Sequence, residues 1–180
     1  KPRYGLMIPE AASLGNHMHS NGVTMELYGK GYILGPDAGL GSGYFAQDYA
    51  EYYSQFLAHN TVIVDGISRY PEMKSNHGFE LKGNYPKSEQ RDGIYTGITY
   101  SDVSFLEPET QADQNRLMSI IRTDDKHGYY VDVFRSKKQK GGDKMHDYIY
   151  HNLGQKISVA DAASGDSLNL KPTDDLAFAG

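Results

Sequence analysis

Residues 116–135 read Arg-Leu-Met-Ser-Ile-Ile-Arg-Thr-Asp-Asp-Lys-His-Gly-Tyr-Tyr-Val-Asp-Val-Phe-Arg, and the two ends of this stretch set the fold class. Residues 116–122 and 129–135 are short runs of aliphatic, β-branched and aromatic side chains, alternating or continuously apolar, with the length of strands. The same signature recurs in residues 23–34, with turns at Gly29 and Gly31, and in 60–65, 93–105 and 148–159. Between the runs stand Gly35-Pro36-Asp37, Asp65-Gly66, Asp92-Gly93 and Gly141-Gly142, turn sequences that tolerate positive φ or preset it. This spacing predicts an all-β chain, an antiparallel β-sandwich. Only residues 49–57, after a Gly-rich stretch, read as a short helix.

The composition points the same way. In 180 residues there are 20 Gly and 15 Tyr but no Trp and no Cys, the balance of a chain that turns often and favours strands. The length suits one domain over residues 1–180, with the Ala-, Ser-, Gly- and Asp-rich end at 161–180 reading as incomplete. Lacking Cys, the chain has no disulfide, no thiolate metal site and no Cys nucleophile, so any metal must be held by His and carboxylate. A net charge of -5 and a pI near 5.8 argue against nucleic acid as a partner, because phosphate binding needs a basic face. No apolar run approaches the roughly 18 residues of a membrane-spanning helix. The chain begins at Lys1 without a leader-like segment, and this is read as a boundary made by processing.

The His residues carry the chemistry. His17 and His19 form H-x-H, and on a strand both imidazoles would project from one face about 7 Å apart. Asp37 follows the next strand region beside a Gly-Pro turn, and His59 opens the run at 60–65. Two imidazoles and one carboxylate make a reasonable Zn²⁺ site. H-x-H in a soluble chain is more often an exposed pair, so spacing alone leaves both readings open. His146 and His151, five apart in a strand rhythm, point to opposite faces and read as surface or packing residues.

Tyr44, Tyr49, Tyr52 and Tyr53 crowd the segment between Asp37 and His59. Such clusters usually pack or offer a flat surface to a sugar ring, and a phenol can also move a proton at a carbon acid. Arg69, Arg116, Arg122 and Arg135 are candidates to face anionic groups, with most of them expected in solvent.

Taken together, Asn16–Gly31 (NHMHSNGVTMELYGKG), Gly35–Gly39 (GPDAG) and Ala58–Gly66 (AHNTVIVDG) resemble the heparinase II/III-like polysaccharide lyases, the group of heparinase II and the oligo-alginate lyases. Tyr129–Arg135 and His146–Gly154 (HDYIYHNLG) resemble the sheet domain of that family. The resemblance implies a supersandwich-like β-sandwich that follows an N-terminal (α/α) toroid, and cleavage of uronate-containing polysaccharides by β-elimination. Carried over by motif, it implies His19, Asp37 and His59 as ligands of a structural Zn²⁺. His17 and Tyr44 are implied as catalytic residues, with Tyr49 as the second choice of tyrosine. Tyr49 and Arg69 are the substrate-binding candidates. Asn21 departs from the Asp that relatives often carry after H-x-H.

No helical region in the chain could form the toroid, which holds the family's main catalytic Tyr. The chain is therefore expected to be the sandwich part of a larger lyase, inactive by itself, with an anionic polysaccharide or oligosaccharide as partner and a periplasmic or secreted location. Two alternatives stand beside this reading: a cupin-like metalloenzyme using H-x-H and Glu26, and a non-catalytic carbohydrate-binding sandwich.

Overall fold

A computed structural model describes residues 4–7, 19–66, 78–142 and 145–171. Its largest unit is a four-stranded antiparallel meander in the order β5-β6-β7-β8, built from Phe79–Tyr85, Ile98–Glu107, Ala112–Arg122 and Gly128–Lys138. Alternation decides its faces. Val103, Phe105 and Glu107 of β6 and Ala112, Gln114, Arg116 and Met118 of β7 are buried, while the residues between them are more open. Register places Val103, Arg116 and Phe134 in one row and Phe105, Gln114 and Ser136 in the next, so a single face of the sheet is turned inward. The β6–β7 turn is closed by the buried Glu107 carboxylate, which accepts from the backbone N–H groups of Glu109 and Thr110 at 2.9 and 2.6 Å and from the Thr110 hydroxyl.

Against that face lies a second layer. The short strands β4 (Val62–Val64) and β9 (His146–Tyr148) pair antiparallel, and a five-residue π-turn at Tyr49–Tyr53 and a 3-10 turn at Phe56–Ala58 precede β4. Val23, Phe56, Ile63, Val103 and Phe105 form the core between the layers, with Leu57, Phe79, Phe134 and Ile149 packed around them. Phe79 stacks on Phe105 at 5.1 Å between centroids. Each such aromatic or aliphatic side chain contributes about 1.5–3 kcal/mol when fully buried, which is what holds the layers together. A third sheet, order β1-β2-β3, consists of Tyr4–Met7, Glu26–Gly29 and Tyr32–Gly35, and a small hairpin joins β10 (Val159–Ala160) to β11 (Ser167–Leu168). Among the described residues no helix is long and apolar enough to cross a membrane.

The expected antiparallel β-sandwich is present, with corrections in detail. Residues 23–34 begin with an irregular lead-in rather than a strand and then form a hairpin that turns at Lys30 and Gly31, both at positive φ, so the expected turn at Gly31 is present while Gly29 ends β2. Residues 149–158 belong to no strand: β9 ends at Tyr148, and two residues past Ile149 the His151 N–H donates to the Asn60 side chain instead of to a neighbouring strand. The expected short helix at 49–57 is two separate tight turns. The segment after Asp161, read as a tail, turns back through bonds from the Ala163 and Ser164 N–H groups to the Asp161 carboxylate and pairs as β11.

Candidate metal centre

Three separated segments bring His19, Asp37 and His59 together, and one potential ligand atom from each lies within 4.8 Å of the others. His19 is not on a strand; it stands in the irregular lead-in to β2, which the Ser20 N–H ties to the Ser54 carbonyl at 2.7 Å. This corrects the strand placement expected for His19. Asp37 follows β3 after Gly35 and Pro36, and its Oδ1 accepts from the Gly39 N–H at 2.9 Å, a local turn that short acidic side chains favour. His59 caps the 3-10 turn, its backbone N–H donating to the Phe56 carbonyl at 3.0 Å, and its side chain is 1% exposed.

His59 Nδ1 lies 2.5 Å from Asp37 Oδ2, and His59 Nε2 lies 3.3 Å from His19 Nδ1. Burial and then the neighbouring His59 hold the His19 imidazole below its ordinary pKa, against an opposing pull from Asp37. Burial pushes the Asp37 carboxyl up, but the His59 hydrogen bond and charge and the Gly39 N–H outweigh it, and the net direction is down. The site therefore favours a neutral imidazole at His19 and a carboxylate at Asp37, the protonation states in which these groups ligate metal.

This donor set suits an ion of the zinc type, which takes imidazole nitrogen and carboxylate oxygen. Zinc–nitrogen bonds of 2.0–2.1 Å imply an edge of about 3.3 Å between two ligand nitrogens of a tetrahedron, and the two imidazoles already stand at that spacing. Glu26, the residue a cupin-like order would use, is outside the cluster, and the Tyr28 hydroxyl donates to it.

A chain of rings leads outward from the cluster. Tyr49 meets His19 edge-on at 5.3 Å, and Tyr44 meets Tyr49 edge-on at 5.3 Å. Tyr49 is fully buried and Tyr44 is half-buried, so a molecule arriving from solvent meets Tyr44 first. Asp48 fastens this wall to the Gly-rich loop: it accepts from the Tyr49 N–H at 3.0 Å, and from the Ser42 N–H and hydroxyl at 3.0 and 2.8 Å. Gly41 is required there, since at φ 59° a Cβ would stand 2.2 Å from the Tyr53 ring.

His17 and Arg69 lie outside the described residues. Of the other candidate arginines, Arg122 and Arg135 are exposed, as expected for most of them, and Arg116 is the exception: it is wholly buried and bonded to Asp132, Val23, Asn60 and Tyr148. The readable signal was its place on the face of the 116–122 strand that also carries Met118. Asn60, next to His59, is also fully buried, and nothing in its sequence position beyond that adjacency marks it for the site. His151 packs as expected, with its Nε2 2.8 Å from the Leu57 carbonyl.

No family model matches the chain. The chain is similar to an endo-acting ulvan lyase of Formosa agariphila, 33% identical over 168 residues. That similarity takes in 87% of this chain and spans only 20% of the length of the lyase, so a protein several times longer contains a segment related to nearly all of this sandwich.

Proposed function

We propose that this chain is the β-sandwich part of a heparinase II/III-like polysaccharide lyase that cleaves a uronate-containing polysaccharide by β-elimination, with a structural Zn²⁺ at His19, Asp37 and His59. The observation that carries the reading is the convergence of these three side chains from distant segments beside the Tyr44–Tyr49 wall. The relative's name adds lyase chemistry and makes ulvan, cut internally, the first substrate to test. The toroid that supplies further catalytic groups belongs, in this reading, to the same full-length protein, which acts in the periplasm or outside the cell.

A bound ion would supply a fixed positive centre that ties three segments together. The chain's own residues then do the following. His17, two residues before His19, pairs with the uronate carboxylate or takes part in proton transfer, which acidifies the C5–H bond. As the C5 proton leaves to a base, the C4–O bond breaks, a C4=C5 double bond forms and the departing oxygen takes up a proton. In this reading Tyr44, at the open end of the ring chain, gives that proton. Tyr49 holds His19 and Tyr44 in register. Arg69 pairs with an anionic group of the polymer.

The test uses the full-length protein with ulvan, alginate and heparan sulfate, following the absorbance of the unsaturated uronate. Ulvan is expected to be cleaved, and Tyr44→Phe to lower turnover by about 10²- to 10⁴-fold. Absence of the unsaturated product with all three polymers would overturn the reading.

A further inference from the structure

Arg116 uses every donor it has. Its Nε and Nη2 grip Asp132 as a fork at 2.8 and 2.7 Å, Nη2 also reaches the Tyr148 hydroxyl at 3.1 Å, and Nη1 donates to the backbone carbonyls of Val23 at 2.7 Å and Asn60 at 2.5 Å. The Tyr148 hydroxyl in turn donates to Asp132 at 2.6 Å, and the guanidinium lies 5.2 Å from the centroid of the Phe134 ring. A guanidinium has five N–H donors in a rigid fork, and here all are directed by burial and geometry.

Asn60 continues the arrangement. Its Nδ2 donates to the carbonyls of Met25 at 2.9 Å and Pro36 at 3.1 Å, and its Oδ1 accepts from the His151 N–H at 2.6 Å. The segments gripped are those that carry the cluster. Asn60 follows His59, Pro36 precedes Asp37, and Val23 and Met25 lie on the same lead-in to β2 as His19. Arg116 and Asp132 belong to β7 and β8 of the four-stranded sheet, so the network fastens the site's three segments to the most extensively paired part of the fold.

We infer that Asn60 and Arg116 are positioning residues for the His19–Asp37–His59 cluster: they hold the backbone on either side of the ligands so that the side chains meet. The inference rests on the metal reading for its affinity readout, and on the His59–Asp37 hydrogen bond for one that needs no metal. Groups that orient metal ligands typically change affinity by 10- to 100-fold when lost. Asn60→Asp is the sharpest variant, because it keeps an acceptor for the His151 N–H and replaces the donor that serves Met25 and Pro36. Arg116→Lys keeps a charge and loses the fork.

The experiment takes the full-length protein and measures Zn²⁺ affinity by competition with a chromophoric chelator, together with the ring N–H proton resonance of His59 in metal-free protein. A control, Glu107→Gln, perturbs the buried turn between β6 and β7, whose carboxylate touches none of the three segments. Asn60→Asp and Arg116→Lys are expected to weaken Zn²⁺ by 10- to 100-fold and to shift or broaden the His59 resonance, at temperatures where both variants stay folded. The control should lower the unfolding temperature and leave both readouts in place. Should Arg116→Lys fail to fold, Asn60→Asp decides alone. Wild-type affinity and an unchanged His59 resonance in Asn60→Asp would overturn the inference. If the wild type takes up no Zn²⁺, the metal reading falls, and the inference stands or falls on the His59 resonance.

Discussion

His59 and Asp37, 22 positions apart, meet through a 2.5 Å contact between Nδ1 and Oδ2. In the tautomer that donates from Nδ1 to this carboxylate, the Nε2 lone pair faces His19. Replacing Asp37 by Asn keeps an oxygen for the Gly39 N–H and removes the anion. The expected result is a loss of Zn²⁺ affinity of at least about 10-fold, read by elemental analysis after dialysis and by chelator competition. Full zinc occupancy in Asp37→Asn would remove Asp37 from the proposed ligand set.

His19 and Asp37 set the direction of pH dependence. The imidazole of His19 is held below its ordinary value by burial and by His59, so the unfolded chain binds its proton more readily than the folded one. Stability from this group is complete above the unfolded value of about 6.5 and is lost as pH falls through the lowered folded value. Asp37, also shifted down on balance, has the same sign in a more acidic window. Protons compete with metal for the imidazoles, so the rise in unfolding temperature given by Zn²⁺ should shrink between about pH 7 and about pH 5. Calorimetry with and without chelator measures it, and a zinc increment that stays constant across that range would count against His ligation.

Strand signals carried much of this fold in plain view, because residues 116–122 and 129–135 are short runs of aliphatic, β-branched and aromatic side chains, and such a run is a local property. The site was legible for a related reason: Asp37 sits beside Gly35-Pro36 and His59 before a buried run, and both turn types constrain the chain nearby. What stayed hidden is non-local. Arg116 looks like any strand arginine until Asp132, Tyr148 and the carbonyls of Val23 and Asn60 surround it, and those partners come from four other places in the chain. Likewise the apolar rhythm of residues 149–158 gave no warning that strand pairing would end at Tyr148 and that Asn60 would take the His151 N–H.

Gly22 stands at φ 53°, and a Cβ there would lie 2.7 Å from the Phe56 ring and 3.2 Å from the Thr61 hydroxyl. Phe56 is 2% exposed and wedged among Val23, Ile63 and Phe105, so it has little room to yield. Gly22→Ala should therefore cost about 1–3 kcal/mol, seen as a lower denaturant midpoint. Gly78, which is not at positive φ and where a Cβ would meet nothing within 4 Å, is the unstrained comparison site. A Gly78→Ala variant should unfold with the wild type, and equal losses in the two variants would contradict the packing described at Phe56.

Tyr44 and Tyr49 divide the work of one wall. Tyr49 is buried between Tyr44 and His19, and burial followed by Tyr44 raises its phenol above the ordinary value, so it is a poor proton donor as well as hard to reach. Tyr49→Phe keeps the ring and should cost about 1 kcal/mol with turnover within a few-fold of wild type. Tyr49→Ala leaves a hole against His19, and the expected loss is about 3–5 kcal/mol together with weaker Zn²⁺ binding, since the imidazole can then turn. Tyr44→Phe should do the opposite, leaving stability and metal nearly unchanged while turnover of the full-length protein falls by about 10²- to 10⁴-fold. Denaturation midpoints, zinc competition and the unsaturated-uronate assay on the three variants separate the two roles. If Tyr49→Phe abolishes cleavage and Tyr44→Phe does not, the proton passes through the buried phenol, and the wall must open for the polymer to reach it.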